Sequence, residues 1–240
     1  MFLFCYDKSM KLLLTSNGLS NDAIAQGLED LTGKEPKDVK VAFIPTAAHP
    51  GRSDKDWLIN DLYNIHKRGY YVDVIDLTAF SPEKLKEALE GVDVIFVGGG
   101  NTFYLSYWME KSGFMAMLPE LLNTKVYAGI SAGSMIAGQS LVLSSQALKN
   151  PTAFFDEDYE EIGPVGESSA VTLKLTDIIF RPHLNSRYFT LARIDLLQEK
   201  IESVGIKVPV YALDDDSALK IVDNSIEVIS EGEWKLLKAE

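Results

Sequence analysis

At 240 residues the chain is long enough for one α/β domain with a sizeable core, and two domains would be a tight fit. Its content of 46% hydrophobic and 24% charged residues is ordinary for a soluble globular protein. Its formal net charge of −12 argues against a nucleic-acid partner and against an anionic membrane surface, because both require a basic surface. The single cysteine excludes an internal disulfide and a cysteine-rich zinc site, and it fits a reduced, cytoplasmic compartment.

No segment approaches the roughly 20 apolar residues that a membrane helix needs, so we expect no membrane partner. The apolar run at the start of the chain ends at Asp7 and is too short for a secretory signal. Met10 directly precedes the first convincing strand. We expect a single α/β domain over residues 1–240, in which residues 1–9 are a candidate N-terminal appendage.

The first half of the chain alternates short apolar segments, which predict strands, with amphipathic segments, which predict helices. Near-continuous apolar strands are typical of a sheet covered by helices on both faces, so the pattern predicts a mostly parallel sheet in an α/β domain. The predicted strands are Lys11–Thr15, Val39–Pro45, Tyr71–Asp76, Val92–Val97 and Val126–Gly129, and the predicted helices are Asp22–Leu31, Lys55–Lys67, Pro82–Leu89 and Thr102–Glu110.

A long acidic segment opens the second half. Residues 150–169 are rich in Pro, Gly and carboxylates and predict a loop that is either solvated or directed toward a substrate. The α/β pattern then resumes with a strand at Ile178–Phe180, a helix at Arg187–Val204 and a strand at Val208–Leu213. The tail, residues 218–237, predicts antiparallel strands.

The most specific chemical signal is the segment Gly129-Ile130-Ser131-Ala132-Gly133, which directly follows an apolar strand. A G-x-S-x-G at a strand-to-helix turn presents the serine hydroxyl above the sheet, and small flanking residues let the strand and the helix approach. The pattern therefore predicts Ser131 as a nucleophile. The structural alternative is a tight turn that binds an anion at the helix N-terminus.

A serine hydroxyl is a weak nucleophile until a base accepts its proton, and the chain offers three histidines. His66 lies near the end of a predicted helix, where a surface position is expected. His49 and His183 each follow a predicted strand, and sites on parallel sheets form beyond the carboxyl ends of the strands. We predict His183 as the base and His49 as a loop residue or a substrate contact.

The histidine in turn needs a carboxylate that orients its ring. Asp214, Asp215 and Asp216 follow the last apolar strand before the tail, and one of them is the predicted acid. A plain acidic turn is the alternative. A metal site at this position lacks partner histidines at ligand spacing.

A glycine-rich turn, residues 98–100, follows another predicted strand and precedes a helix. The backbone amides of Gly99 and Gly100 can approach a substrate oxygen closely, and the amide of Ala132, next to the serine, would be their partner in an oxyanion hole. A phosphate-binding loop is the alternative, but no Gly-Lys-Ser/Thr follows and no G-x-G-x-x-G is completed. We therefore predict neither a cofactor nor a metal.

The chain order of these motifs is glycine-rich turn, serine, histidine and acid, which differs from the orders of the α/β-hydrolases, chymotrypsin and subtilisin. The set resembles the peptidase E family, which includes aspartyl dipeptidase and, more distantly, cyanophycinase. The likeness spans residues 10 to about 222. It is carried by the motifs at 98–102, 129–133, 181–184 and 212–216, and by the segments 11–16 and 42–47.

The resemblance implies a flavodoxin-like three-layer sandwich close to the class I glutamine amidotransferases, with serine in place of their cysteine. It matches Ser131 with the family nucleophile, His183 with the base and Asp215 with the acid. Gly100, beside Gly99, and Ala132 match the oxyanion amides.

The implied activity is serine-type hydrolysis of short peptides, as by a dipeptidase, in a monomer or a homodimer. Specificity for aspartate stays open, because residues 134–146 after the serine contain no Arg or Lys. Two other functions remain: a serine hydrolase or amidase with a non-peptide substrate, and a non-catalytic ligand-binding domain that retains the turn.

Overall fold

The computed structural model describes residues 9–50, 54–143 and 169–238, which form two sheets and the helices around them. The predicted acidic loop and the candidate appendage lie almost wholly outside these residues. The strands are β1 (Lys11–Thr15), β2 (Lys40–Ile44), β3 (Tyr71–Val74), β4 (Val94–Val97), β5 (Val126–Ile130), β6 (Ile179–Arg181), β7 (Val210–Leu213), β8 (Ser217–Val222), β9 (Ser225–Ser230) and β10 (Trp234–Leu237). The helices are α1 (Asp22–Thr32), α2 (Asp56–His66), α3 (Pro82–Glu90), α4 (Thr102–Lys111), α5 (Phe114–Leu121), α6 (Ala132–Met135) and α7 (Ile194–Val204).

The larger sheet has seven strands in the order β3-β2-β4-β5-β1-β8-β9. Its first five strands pair in parallel, and β8 and β9 continue the sheet in antiparallel pairing. The predicted mostly parallel sheet is confirmed. The elements predicted in the first half are also confirmed, with ends that differ by at most two residues.

Both faces of this sheet are buried, as its continuous apolar strands require. Successive residues of a strand point to opposite faces, and β1 shows the result. Leu12 and Leu14 belong to the core that α3, α4 and α5 cover, whereas Leu13 belongs to the core beneath α1 and α2. The two cores and the sheet between them form the three layers of the α/β sandwich.

Side-chain caps set where several helices begin. Asn21 accepts a hydrogen bond from the Ile24 amide at the start of α1, and Ser81 caps α3 in the same way. Asn101 accepts from the amides of Phe103 and Tyr104, so α4 starts directly after the glycine-rich turn. This cap holds the turn at a fixed place at the end of β4.

The second half departs from the prediction in its strand pairing. β6 and β7 do not extend the large sheet but pair in parallel with each other. β10 pairs antiparallel with β7, so only β8 and β9 of the tail form a hairpin. This three-stranded sheet has its own core with α7, including Leu197, Ile201 and Val210. Strand periodicity does not encode the identity of the pairing partner, which is why the prediction missed the second sheet.

The predicted helix at Arg187–Val204 is too long, because α7 begins only at Ile194. The preceding residues form a loop instead. In it Asn185 donates a backbone hydrogen bond to Ala192, and Arg193 donates from its side chain to the Ser186 carbonyl. Helix α5, which contains Pro119, was not predicted.

Among the described residues, none of the helices combines the length and the apolar character that crossing a bilayer would demand.

Two glycines let β4, β5 and α6 pack closely around the serine turn. A Cβ on Gly133 would overlap the carbonyl oxygen of Val97 in β4. A Cβ on Gly129 would lie 2.6 Å from the carbonyl carbon of Gly133. The two small residues of the motif are therefore required by backbone contact, as the sequence interpretation expected.

We expect Gly133→Ala to lower the free energy of unfolding by about 1–3 kcal/mol, because backbone must move to admit the methyl group. Gly91→Ala is the matched control, since a Cβ there meets no atom within 4 Å and its φ of −85° suits any residue. Urea denaturation of both variants measures the difference. Equal stability of the two variants would contradict the close-packing argument.

Candidate active site

A cavity of about 820 Å³ lies where several strands end. Its lining includes Ser16 after β1, Gly99 after β4, Ser131 after β5, His183 after β6 and Asp215 after β7. The cavity thus draws residues from both sheets. This is the position expected for a site in an open parallel sheet.

Ser131 lies between β5 and α6 with φ 48° and ψ −107°, in the left-handed half of backbone space that side chains rarely adopt. Backbone strain of this kind persists only where the surroundings impose it. Here the Ser131 amide donates to the Thr15 carbonyl at 3.0 Å. The amide of Ser134 and the amide of Met135 both donate to the Ser131 carbonyl at 2.9 Å.

Thr15, fully buried at the end of β1, holds the turn on both sides. Its hydroxyl donates to the Gly129 carbonyl at 2.7 Å, and its carbonyl accepts from the Ser134 hydroxyl at 2.7 Å as well as from the Ser131 amide. Three bonds from one residue therefore determine where the Ser131 side chain projects.

His183 joins the serine to a carboxylate. Its Nε2 lies 2.8 Å from the Ser131 hydroxyl oxygen, and its Nδ1 lies 2.6 Å from Oδ1 of Asp215. An ionised carboxylate can only accept, so the Nδ1 proton points to Asp215 and Nε2 is left to accept from the serine. This tautomer is the one a general base requires.

The Asp215 carboxyl is held in its ionised form. Burial raises its pKa, but hydrogen bonding and charge attraction from His183, together with a hydrogen bond from Ser16, outweigh burial and leave the pKa below its usual value. Asp215 therefore stays charged at neutral pH and is able to stabilise a protonated imidazole.

Ser16, also fully buried, connects two members of this arrangement. Its hydroxyl accepts from the His183 backbone amide at 2.7 Å and donates to Oδ1 of Asp215 at 3.2 Å. One hydroxyl thus positions both the histidine backbone and the carboxylate. Sequence reasoning missed Ser16, since a serine after a strand carries no motif.

The His183 ring is also held from its face. Phe189 stacks on it with centroids 4.1 Å apart and an interplanar angle of 6°. Phe189 belongs to the loop that replaces the first part of the predicted helix, so the missed loop has a role at the site. The backbone of His183 has φ 61°, a second left-handed residue in the cavity.

The other histidines lie elsewhere. Nδ1 of His49 is 3.4 Å from Oδ2 of Asp76, and its side chain does not line the cavity. His66 is exposed at the end of α2. In the described part of the chain, no three metal-ligating side chains come together as a metal site would need.

The three adjacent aspartates separate into different environments. Only Asp215 contacts His183. Asp214 accepts from the Ser217 hydroxyl at 2.6 Å, from the Asp216 amide at 3.1 Å and from the Glu233 amide, so it supports the turn between β7 and β8. The Asp216 side chain is exposed.

The predicted oxyanion donors lie next to the serine. A Cβ on Gly99 would be 3.3 Å from the Cβ of Ser131, and Gly100 has φ 129° with its backbone against the Ala47 carbonyl. The amides beside them, of Gly98 and Asn101, donate to β2 and to the turn after it. Among the described residues the amides of Gly99, Gly100 and Ala132 have no hydrogen-bond partner.

Helix α2 supplies two further residues that sequence reasoning did not single out. Trp57 lies 3.8 Å from the position of a Cβ on Gly99, and Asp61, one turn later, lines the same cavity. Asp61 is 4% exposed, and burial raises its pKa to about 7. No motif marks an acid within a helix, and only the structure shows that this one is buried.

Comparison with known proteins assigns the family. The model of peptidase family S51 matches residues 12–229. The peptidase E of Nostoc sp. is 27% identical over 92% of this chain and 86% of its own length, and that of Streptomyces coelicolor is 27% identical over 88% and 81%.

Solved structures share the fold. A peptidase E-like protein from Listeria monocytogenes EGD-e superposes with a TM-score of 0.73 at 19% identity, covering 93% of this chain and 100% of that one. A peptidase from an acI-B1 actinobacterium gives a TM-score of 0.60 at 16% identity, covering 99% and 98%. These identities support the fold alone. The resemblance drawn from the motifs is confirmed by the family match, and the chain belongs to peptidase family S51, the peptidase E family of serine-type peptidases.

Proposed function

We propose that this peptidase hydrolyses short peptides, as a dipeptidase does, through a catalytic triad of Ser131, His183 and Asp215. The observation that carries the proposal is the His183 ring, whose two nitrogens lie 2.8 Å from the Ser131 hydroxyl and 2.6 Å from the Asp215 carboxylate. A serine, a base and an orienting acid within hydrogen-bond reach are the requirements of acyl transfer.

In the first half-reaction Ser131 attacks the scissile carbonyl while His183 Nε2 takes the hydroxyl proton. The imidazolium that forms is stabilised by Asp215, and it then protonates the amine of the departing residue. The C–N bond breaks, and an ester joins the N-terminal part of the substrate to Ser131. In the second half-reaction His183 deprotonates a water, which hydrolyses the ester and regenerates the serine.

The tetrahedral intermediates carry a negative oxygen that needs hydrogen-bond donors. Support for a site comprising Gly99, Gly100 and Ala132 comes from their unpartnered amides and from the contact of Gly99 with the serine. Fixed backbone donors of this kind typically contribute about 10²–10³-fold to the rate.

The size of the cavity supports a small substrate. At about 820 Å³ it falls in the usual range for small-molecule sites, roughly 300–1,000 Å³. The names of the curated relatives, peptidase E, support the same class. We further infer that the enzyme needs no metal or cofactor, since the triad supplies nucleophile, base and acid from the chain itself. A chain with a single cysteine also fits a reduced compartment, so we infer that it works in the cytoplasm.

Ser131→Ala should reduce hydrolysis of a dipeptide panel by many powers of ten, on the order of 10⁶, while the melting temperature stays near that of the wild type. A fluorophosphonate probe should label the wild-type protein at Ser131 and leave the variant unlabelled. Undiminished peptide hydrolysis by the variant would contradict the proposed nucleophile. Labelling without hydrolysis of any peptide would point to a non-peptide acyl substrate.

Asp215→Asn should lower kcat by about 10⁴-fold, because an amide leaves His183 in the wrong tautomer. Asp216→Asn is the matched control and should change kcat little, since its side chain is exposed. Asp214→Asn should mainly reduce stability, by about 1 kcal/mol, because it loses hydrogen bonds that support the β7–β8 turn. Steady-state kinetics and urea denaturation separate the three, and a larger kcat loss in either control would reject Asp215 as the acid.

A further inference from the structure

Asp61 is a buried carboxylate that the triad mechanism does not use. It lies on α2, one turn after Trp57, and residues four apart share a helix face. Trp57 is close to Gly99, and Oδ1 of Asp61 lies 3.5 Å from the position of a Cβ on Gly18, which would in turn lie 3.1 Å from the Ile130 side chain. Asp61 lines the cavity and lies near Ile130, the residue that precedes Ser131.

This carboxylate has no partner within the described residues. Only 4% of its surface is exposed, and no described side chain or backbone amide donates to it. The other charged groups that line the cavity are Asp54, Lys55, Asp56, Arg181, His183 and Asp215, and none of them forms an ion pair with Asp61. Burying an acid without a partner costs free energy, so the position calls for a ligand that compensates.

We propose that Asp61 binds the α-ammonium group of the substrate's N-terminal residue, and that it restricts the enzyme to peptides with a free amino terminus. The proposal rests on the proposed function and deepens it. A substrate carbonyl bound between Ser131 and the glycine-rich turn has its α-amino group one carbon away, on the acyl side. A carboxylate in the same cavity supplies the charge-assisted acceptor that this ammonium needs.

The raised pKa of Asp61 agrees with this assignment. Burial alone raises the pKa of Asp61, to about 7. An incoming cation favours the ionised form, so binding restores the charge that burial disfavours. The carboxylate then discriminates by charge, since an acetylated amine offers no positive group and leaves Asp61 unpaired.

The first test compares matched dipeptides X-Leu and N-acetyl-X-Leu, with X as Ala, Asp or Lys, by mass-spectrometric detection of released leucine. Wild-type enzyme should cleave the free-amine member with a kcat/KM at least about 10- to 100-fold higher, the range expected for a lost hydrogen bond to a charged group. Asp61→Asn should lose that preference while fluorophosphonate labelling of Ser131 is retained. Asp73→Asn, which removes the same charge from exposed β3 outside the cavity, should keep it.

The second test needs no substrate. An acid with a raised folded-state pKa is protonated in the folded protein while it ionises in the unfolded chain, so stability falls as pH rises from 3.8 to about 7 and stays low above it. Asp61→Asn removes this penalty. Its melting temperature should exceed that of the wild type at pH 8, and the difference should shrink as the pH falls to 5, whereas Asp73→Asn should show no such trend.

The possible outcomes distinguish a failure of the proposed function from a failure of the role of Asp61. If the wild type hydrolyses no peptide, the proposed function fails and the role of Asp61 fails with it. Equal cleavage of free and acetylated peptides would overturn the role of Asp61 alone. A preference for N-acetyl-Lys-Leu that Asp61→Asn abolishes would assign the carboxylate to a side-chain amine and overturn the α-ammonium proposal. A lower melting temperature of Asp61→Asn at pH 8 would show that the carboxylate already has a partner and would overturn it too.

Discussion

Two adjacent residues at the end of β1 connect the parts of the molecule that form the site. Thr15 binds the serine turn of the large sheet through its carbonyl and hydroxyl, and Ser16 binds the backbone of His183 and the carboxylate of Asp215. His183 and Asp215 follow strands of the small sheet, so these hydrogen bonds tie the end of the small sheet to the end of β1. The side chains of Ser20 and Asn21 add two more, to the backbone carbonyls of Asp215 and Asp216. Buried hydrogen bonds are directional, and they specify one relative placement where apolar contact alone tolerates several.

This connection explains why backbone strain is tolerated at Ser131 and His183. Ser131 and His183 both have positive φ, a conformation that costs on the order of 1 kcal/mol or more for a residue with a side chain. Each is fixed by a bond to the end of β1, and the ring of His183 is further held by Phe189. This backbone conformation aims the hydroxyl and the imidazole at each other. Under the proposed mechanism, such preorganisation lowers the reorganisation needed in the transition state.

The motifs predicted much of this arrangement because local chemistry dictates them. A serine between small residues, a histidine after a strand and a glycine-rich turn each follow from backbone geometry within a few residues, and the parallel sheet follows from apolar strands alternating with helices. Sequence position alone did not identify which of the three aspartates is the acid. Side chains alternate between the two faces of a strand only as far as the strand continues, and these aspartates follow its end. The pairing of β10 with β7 and the loop carrying Phe189 depend on contacts between distant segments, which periodicity does not record. The same is true of Ser16 and Asp61, whose importance comes from burial and not from residue type.

The charged residues that line the cavity bear on which end of a peptide the proposed site would recognise. The described residues that line the cavity include four carboxylates, one lysine and one arginine. The excess of negative charge inside the cavity has the same sign as the net charge of −12, so the local field and the global field both attract an ammonium group. Arg181 is buried, and burial lowers its pKa to about 9, which leaves it cationic at neutral pH. A buried guanidinium cannot move toward a ligand as an exposed lysine can, so any carboxylate it meets must come to its fixed position. Recognition of the amino terminus by Asp61 therefore requires only a group that every unblocked peptide carries. Recognition of an acidic side chain by Arg181 would require a side chain long enough to reach the fixed guanidinium.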